Sequence, residues 1–330
     1  MTSFVKIFRK IIGGQVDYKP LIIKIFRKLL AFYEINGGSG NAFRVLAYRK
    51  GLNILEKMDG PIHDIDDLAD GFGKKSIDKI KIIIKTGTLP IYDKIIKDKK
   101  IDAIMMFQGI IGVGPKKARE WVNNGIYTLE ALKNIKLTEN QKMGIKYYKD
   151  LNKRIDRGDI ENIVQIVKKK IKLKVNIVGS YRLGKKTSGD IDLIITYPDG
   201  NIPQQNIGVN MDVVLERLKK YIVYVISRSD DKSLIIVKFP KKHAMRMDLV
   251  CIPESQYPWY LLYFGSDIGF SRKIRDCASK KGYKLNEKGL FYKNTGKKVN
   301  IRVRDEKDIF KFLGLIYVEP KDRLDTLLKC

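Results

Sequence analysis

The chain has 330 residues, 44% of them hydrophobic, which is enough for about two to four compact units with real cores and argues against wholesale disorder. Sixty-five Lys and Arg against 37 Asp and Glu give a net charge of +28. A lysine-rich composition explains part of this excess, and the rest asks for a polyanionic partner, nucleic acid first. Two histidines (His63 and His243) and scattered Cys251, Cys277 and Cys330 leave no basis for a His triad, a zinc site or a disulfide framework.

No apolar run approaches ~18 uncharged residues, so no membrane span is expected. The stretch 4–12 is punctuated by Lys6, Arg9 and Lys10 and makes a poor signal peptide. An intracellular, reducing, DNA-containing setting such as the nucleus is the expectation.

In chain order, Leu21, Ile22, Ile25, Leu29 and Phe32 recur at helical spacing, with Lys24, Arg27 and Lys28 opposite. A loop at 36–41 ends that helix, 43–55 reads as the next, and helical patterns continue to about residue 150. Within them Gly71-Phe72-Gly73-Lys74-Lys75 and Gly112-Val113-Gly114-Pro115-Lys116-Lys117 repeat one design. Each glycine-hydrophobic-glycine turn lets backbone approach a phosphate, and the next helix aims its N–H groups at that anion. Pro115 suits a first helical position. These are helix-hairpin-helix patterns for gripping DNA backbone without reading sequence. From residue 170 the texture changes to short β-branched runs at 172–178, 190–196, 221–227, 233–239 and 246–252, with a helix at 211–220. The fold class is α+β multidomain: a helical N-terminal half, then a mostly antiparallel sheet, then a small α/β tail.

The chemistry-bearing segment runs from Gly179-Ser180 to Ser188-Gly189-Asp190-Ile191-Asp192. Alternate strand residues share a face, so Asp190 and Asp192 point one way while Ile191, Leu193 and Ile195 enter the core. Asp248 alternates with apolar neighbours and supplies a third carboxylate from a neighbouring strand. Carboxylates this close repel each other unless cations lie between them, and three suit a two-metal site for an in-line displacement. Gly179-Ser180, ending one strand, reads as a triphosphate seat. The same glycine, with Gly184-Lys185, nearly spells a P-loop. Lys186 stands where that motif needs Ser or Thr, and Gly189 forbids a long helix.

These residues resemble the family X DNA polymerases, of the polymerase beta type, over nearly the whole chain. The likeness extends through Arg246-Met247-Asp248, Gln256-Tyr257, Tyr263-Phe264, Gly265-Ser266-Asp267, Lys281-Gly282-Tyr283, Glu306-Lys307-Asp308-Ile309-Phe310 and Glu319-Pro320-Lys321-Asp322-Arg323. The resemblance implies a lyase-like domain over 1–98, a DNA-binding subdomain over 99–155, a catalytic palm over 156–253 and a nucleotide-selecting subdomain over 254–330. It also implies two Mg²⁺ ions, with Mn²⁺ as substitute, on Asp190, Asp192 and Asp248, and a monovalent cation at each hairpin. Arg154, Gly179, Ser180, Ser188 and Gly189 would hold the triphosphate, Tyr263 and Phe264 the sugar, and Asp267 would lie near the base.

Arg44, Tyr48, Gly71, Gly73, Lys75, Gly112, Gly114, Lys116 and Arg246 would meet DNA. Lys79 takes the position of a Schiff-base nucleophile acting on 5′-deoxyribose phosphate, its amine kept neutral by Lys75 and Lys81. From the residues alone, a phosphate contact is the simpler reading of Lys79. Three departures stand out: Leu183 replaces a triphosphate-binding arginine, the link between Phe264 and Gly265 is one residue short, and Ser271 replaces an asparagine that reaches the incoming base. The implied function is template-directed filling of short gaps in base excision repair by a monomer acting on gapped or nicked DNA with deoxynucleoside triphosphates. A template-independent terminal transferase and a non-catalytic DNA-end-binding module are the alternatives. The first would be marked by a long insertion between palm strands and the second by a lost carboxylate. The sequence shows neither.

Overall fold

The computed structural model describes residues 16–58, 60–200 and 211–323, so the stretch 4–12 lies outside the described residues. The chain divides into two compact units, one ending at Lys146 and one beginning at Tyr147.

The first unit is helical: α1 (Lys19–Asn36), α2 (Ser39–Lys57), α3 (Lys74–Thr86), α4 (Pro90–Ile95), α5 (Lys99–Gln108), α6 (Pro115–Asn123) and α7 (Glu139–Lys146). Ile22, Ile25, Phe26 and Leu29 form one buried stripe of α1, and Ile80 and Ile83 of α3 and Ile101 of α5 join the same core. The glycine-rich link after α1 is shorter than the expected loop, because α2 already begins at Ser39. Gly71 and Gly112 carry φ of 103° and 76°, which only glycine adopts without strain. Gly73 and Gly114 then occupy the N-cap positions of α3 and α6, with Pro115 in the first turn.

The second unit begins with α8 (Tyr148–Leu151), β1 (Ile155–Asp156), α9 (Arg157–Ile171), β2 (Lys174–Ile177), α10 (Gly179–Arg182), β3 (Thr187–Ser188) and β4 (Ile191–Tyr197). It continues through α11 (Met211–Leu218), β5 (Ile222–Arg228), β6 (Lys232–Val237), β7 (Met245–Pro253), α12 (Tyr257–Phe264), α13 (Ile268–Lys280), β8 (Tyr283–Asn286), β9 (Gly289–Tyr292) and α14 (Glu306–Phe312). Its main sheet has the order β2-β4-β7-β6-β5. The β5-β6-β7 meander is antiparallel, and it returns β7 beside β4 in parallel register. The sheet is therefore mixed at the one pair that matters for the chemistry.

One sheet face packs Ile191, Leu193, Ile195, Met247 and Leu249 against Ile160, Ile163 and Val167 of α9 and Val214 of α11. The other face packs Ile194, Val250 and Ile252 against Tyr260 of α12. With both faces covered, these central strands read as apolar runs broken only where a polar side chain has a task. Trp259, Phe270, Ile274, Leu290, Ile309 and Phe310 build a separate core for the C-terminal part. Cys251 is free, whereas Cys277 is disulfide-bonded. Scattered cysteines carry no spacing signature, so nothing local announced a disulfide at Cys277. No described helix is long and apolar enough to cross a membrane.

Candidate functional site

Asp192 and Asp248 are register partners on the parallel strands β4 and β7, each flanked by buried apolar residues. Asp190 lies just before β4 and accepts from Arg246 Nη2 at 3.0 Å. The backbone N–H of Val178 donates to the carbonyl of Asp192 at 2.9 Å, which brings the strand-to-helix turn against the carboxylate. A side chain on Gly179 would collide with the Asp192 carboxylate, and its φ of 59° also favours glycine. Only glycine lets α10 begin this close to the acidic strand.

Electrostatics follow from that crowding. Burial first, then Asp190 and Asp248, push Asp192 up to about 7, and Arg246 only partly opposes them. Burial and Asp190 push Asp248 up to about 6. Asp248 Oδ1 is buried and finds no hydrogen-bond partner. An unpaired buried carboxylate oxygen among like charges is costly, and a divalent cation is the partner that relieves it. The donor set, all carboxylate oxygen, fits a hard cation of that kind. Among the described residues no three such groups already converge as a finished metal shell, since Asp190 is turned to Arg246.

The expected triphosphate residues come together beside these carboxylates. Ser180 Oγ donates to Ser188 Oγ at 2.8 Å, and Arg154 Nε reaches Thr187 Oγ1 at 3.1 Å next to Gly189. The turn is anchored by Tyr181, whose ring lies 3.8 Å under the Arg157 guanidinium and whose hydroxyl donates to Glu161 at 2.6 Å. Helix α10 is a single turn, which removes the P-loop alternative. Leu183 is buried at its end, so basic groups near the turn come from Lys185 and Lys186 instead.

Tyr263 and Phe264 meet edge-to-face at 5.0 Å, with Tyr263 partly exposed. Asp267 caps α13 by accepting from the Phe270 N–H at 2.6 Å, so its carboxylate is already committed to the helix. Ser271 is buried on α13 and its carbonyl accepts from Arg275 Nε.

Sequence reasoning missed two networks. Arg182 does not face a phosphate seat; it donates to the Gly265 carbonyl at 3.1 Å and to both oxygens of buried Glu306. Arg323 also binds Glu306, at 2.8 Å, and Ser266 Oγ at 2.9 Å. These ties pass through Gly265, where the link is one residue short. Lys232 pairs with Glu287 at 3.1 Å and lies over the rings of Tyr260 and Phe264. The family stretches containing Glu306 and Arg323 were visible, but nothing local announced that they meet.

A second cluster forms in the helical unit. Lys79 of α3 places its Nζ 4.6 Å from the Tyr48 ring centroid. Tyr48 stacks on Tyr33 at 5.7 Å, and the Arg44 guanidinium lies over Tyr33 at 5.3 Å. Burial, then Arg44, then Lys75 hold Lys79 below the usual lysine range. The second like charge is thus Arg44 and not Lys81. The Tyr48 hydroxyl is buried without a partner, and burial raises its pKa. Gly71, Gly73 and Lys75 stand exposed at one hairpin turn, as do Gly112, Gly114 and Lys116 at the other.

The second unit thus carries paired aspartates on a five-stranded sheet beside a glycine-serine turn. Family models match in sequence along the chain: a helix-hairpin-helix domain at 17–89, the fingers domain of DNA polymerase lambda at 105–152, the DNA polymerase beta palm at 154–254 and the DNA polymerase beta thumb at 260–324. The chain is 32% identical to DNA polymerase lambda of Arabidopsis thaliana over 93% of its own length and 62% of that protein's. It is 29% identical to DNA polymerase lambda of Rattus norvegicus over 91% of its length and 56% of that protein's. It therefore spans about three-fifths of the length of these relatives. The chain belongs to the family X DNA polymerases.

Proposed function

We propose that the protein is a template-directed DNA polymerase that fills short gaps during base excision repair and also removes 5′-deoxyribose phosphate. The observation that carries the polymerase reading is Asp192 opposite Asp248 across paired parallel strands, under a glycine that admits no side chain. Asp190, Asp192 and Asp248 would hold two divalent cations, Mg²⁺ by preference. Bound there, the cations supply charge neutralisation for the attacking and leaving oxygens.

The chain's own residues do the rest. Asp248 takes the proton of the primer 3′-hydroxyl, directly or through water, as its oxygen bonds to the α-phosphorus and pyrophosphate leaves. Ser180, Ser188, Gly189 and Arg154 orient the triphosphate, and Tyr263 and Phe264 bound the sugar. The two hairpin turns grip DNA phosphates, and the backbone around Gly71–Gly73 and Gly112–Gly114 would hold a monovalent cation at each.

In the helical unit, the neutral Lys79 amine attacks the C1′ aldehyde of the sugar, expels water and forms an imine. Loss of the C2′ proton then breaks the C3′–O bond, so the DNA strand leaves with a 5′-phosphate, and hydrolysis of the imine releases the unsaturated sugar phosphate and returns the lysine. The protein works as a single chain in a DNA-containing compartment. The deciding experiment is primer extension across a one-nucleotide gap, with and without a 5′-phosphate, in Mg²⁺ or Mn²⁺. Extension dictated by the template is expected, and untemplated addition to free single strands would transfer the assignment to terminal transferase.

A further inference from the structure

The layer behind the palm sheet carries a concentration of charge that the sites described above do not use. Between Glu161 and Asp190 the sequence has no acidic residue, and Lys168, Lys169, Lys170, Lys172 and Lys174 crowd the end of α9 and the start of β2, all exposed. Arg217 Nη1 of α11 donates to the Ile171 carbonyl, which draws the end of α11, with exposed Lys220 just beyond it, against the end of α9. Asp212 and Glu216 of α11 are already paired, with Arg228 and Lys219. Lys172 is the C-cap of α9 with φ 54° and ψ 39°, a left-handed position that glycine or asparagine takes more easily. The helix dipole accounts for cations in a last turn; it does not call for a lysine in that strained conformation, nor for Lys174 on the neighbouring strand. Ile160, Ile163 and Val167 of α9 pack on the sheet face of Leu193 and Leu249, whereas Asp192 and Asp248 alternate with those leucines and face the other way. The start of α9 is tied to the glycine-serine turn through Arg157 and Tyr181, and Lys170 lies about 20 Å further along the axis.

We propose that the end of α9, with the adjoining Lys174 and Lys220, is a second docking surface for duplex DNA, held through its phosphates without regard to sequence. One chain would then hold a gapped duplex at the carboxylates and an intact duplex behind the sheet, and could pass from one segment to the other without leaving DNA. That bridging rests on the gap-filling reading above; the patch itself does not. Successive helical residues turn by about 100°, so Lys168, Lys169 and Lys170 spread charge across the last turn instead of focusing it on one point. The end of a helix presents carbonyls and not N–H groups, so there is no seat for a single small anion. Residues 162–176 contain no aromatic ring on which the bases of a single strand could stack. Ile166 and Leu173 turn into the core, which leaves no apolar centre of the kind a protein interface has. A dispersed set of lysines with neither feature fits the phosphate array of a duplex. That duplex is a second one, because DNA is stiff over roughly 150 base pairs and a flank of the first does not fold round to the opposite face.

The test uses the full chain with Lys168→Gln, Lys169→Gln, Lys170→Gln and Lys172→Asn combined, all at exposed positions and the last suited to a left-handed C-cap. The control combines Lys280→Gln, Lys281→Gln, Lys307→Gln and Lys311→Gln, which removes the same charge from exposed positions of the C-terminal part. Gapped DNA is immobilised and loaded with an equal amount of chain, and retention of a fluorescent intact duplex is titrated at several salt concentrations. The parent should retain the duplex, and the patch variant should bind it at least about tenfold more weakly, with a salt slope lower by about three for the four lysines lost. Gap filling on the immobilised DNA should be unchanged in the patch variant, and the control should retain the duplex as the parent does. No retention by the parent, equal retention by the patch variant, or an equal loss in the control would overturn the proposal. Displacement of the duplex by polyglutamate at lower charge-equivalent concentration would overturn it too, and hand the patch to an acidic polypeptide. Were the parent to bind no gapped DNA, the gap-filling reading would fall by itself. The intact duplex, titrated directly against parent and patch variant, would still decide for or against the patch.

Discussion

The palm carboxylates and the Lys79 pocket apply the same physics to opposite ends. In both, burial and like charges crowd an ionisable group and favour its neutral form. In the palm this raises Asp192 to about 7 and Asp248 to about 6, and on the proposed reading a cation would relieve the crowding. In the helical unit it lowers Lys79, and on the proposed reading the neutral amine would itself be the nucleophile. The strands must hold their charges together at some cost, while the helices need only expel water from one amine and surround it with Arg44 and Lys75.

The sharpest way to break this comparison is to remove the carboxylates. Asp190→Ala and Asp248→Ala should each reduce nucleotide insertion by at least about a thousandfold, because charge stabilisation in the transition state goes with them. Gap affinity should stay near the parent value, since on the proposed reading it comes from the hairpin turns. Single-turnover extension alongside anisotropy measures both, and brisk insertion by either variant would end the two-metal assignment.

Next in size is the lysine. Borohydride should trap the parent covalently on DNA carrying a 5′-deoxyribose phosphate, and Lys79→Ala should lose most of that product while filling gaps normally. Lys79→Arg keeps the charge but cannot form the imine. Trapping at the parent level by Lys79→Arg would hand the role to another amine, Lys75 first.

These two sites were unequally legible in the sequence. The two glycine turns and the helix at α1 are local patterns, and the structure forms those elements there, whereas Asp190, expected on the strand face of Asp192, falls just before β4 and turns to Arg246. Lys79 had no such signal: a lysine on an amphipathic helix is usually solvated, and only family resemblance raised it. What makes it special is Tyr48 and Arg44, roughly three dozen residues earlier. The parallel pairing of β4 with β7 was hidden for a related reason, since strand order is decided by how the meander returns and not by any one strand. Arg182 meeting Glu306 across 124 residues is the extreme case, because each partner alone reads as an ordinary surface charge.

A smaller effect separates the two regions by pH. Asp192 and Asp248 have folded pKa values raised above the unfolded value of 3.8. The folded state therefore holds more protons, so their contribution is most favourable below that value and is lost as pH rises through about 6 and about 7. In metal-free protein, Asp192→Asn should melt several degrees above the parent at pH 8, with a smaller gain at pH 5, and divalent cation should narrow the gap at pH 8. A constant difference across pH, read by calorimetry in chelator, would show that the carboxylates are not the strained element.

The smallest effect tests whether both regions keep an unpaired buried oxygen for the same reason. Asp248 Oδ1 and the Tyr48 hydroxyl are both buried without partners. On the proposed reading the lone palm oxygen would meet a cation, and by the same reasoning the Tyr48 hydroxyl would bond the bound sugar phosphate. Tyr48→Phe keeps the ring under Lys79 and its stack on Tyr33, and removes only that oxygen. Melting temperature should hold or rise slightly, because an unsatisfied buried hydroxyl contributes nothing favourable in the free protein. Borohydride trapping should fall by only about two- to tenfold, the worth of one hydrogen bond made in the complex. Trapping equal to the parent, with a higher melting temperature, would mean that the hydroxyl is an idle strain on the helical core. The parallel with Asp248 would then fail, and shape alone would explain why a tyrosine lies beneath the lysine.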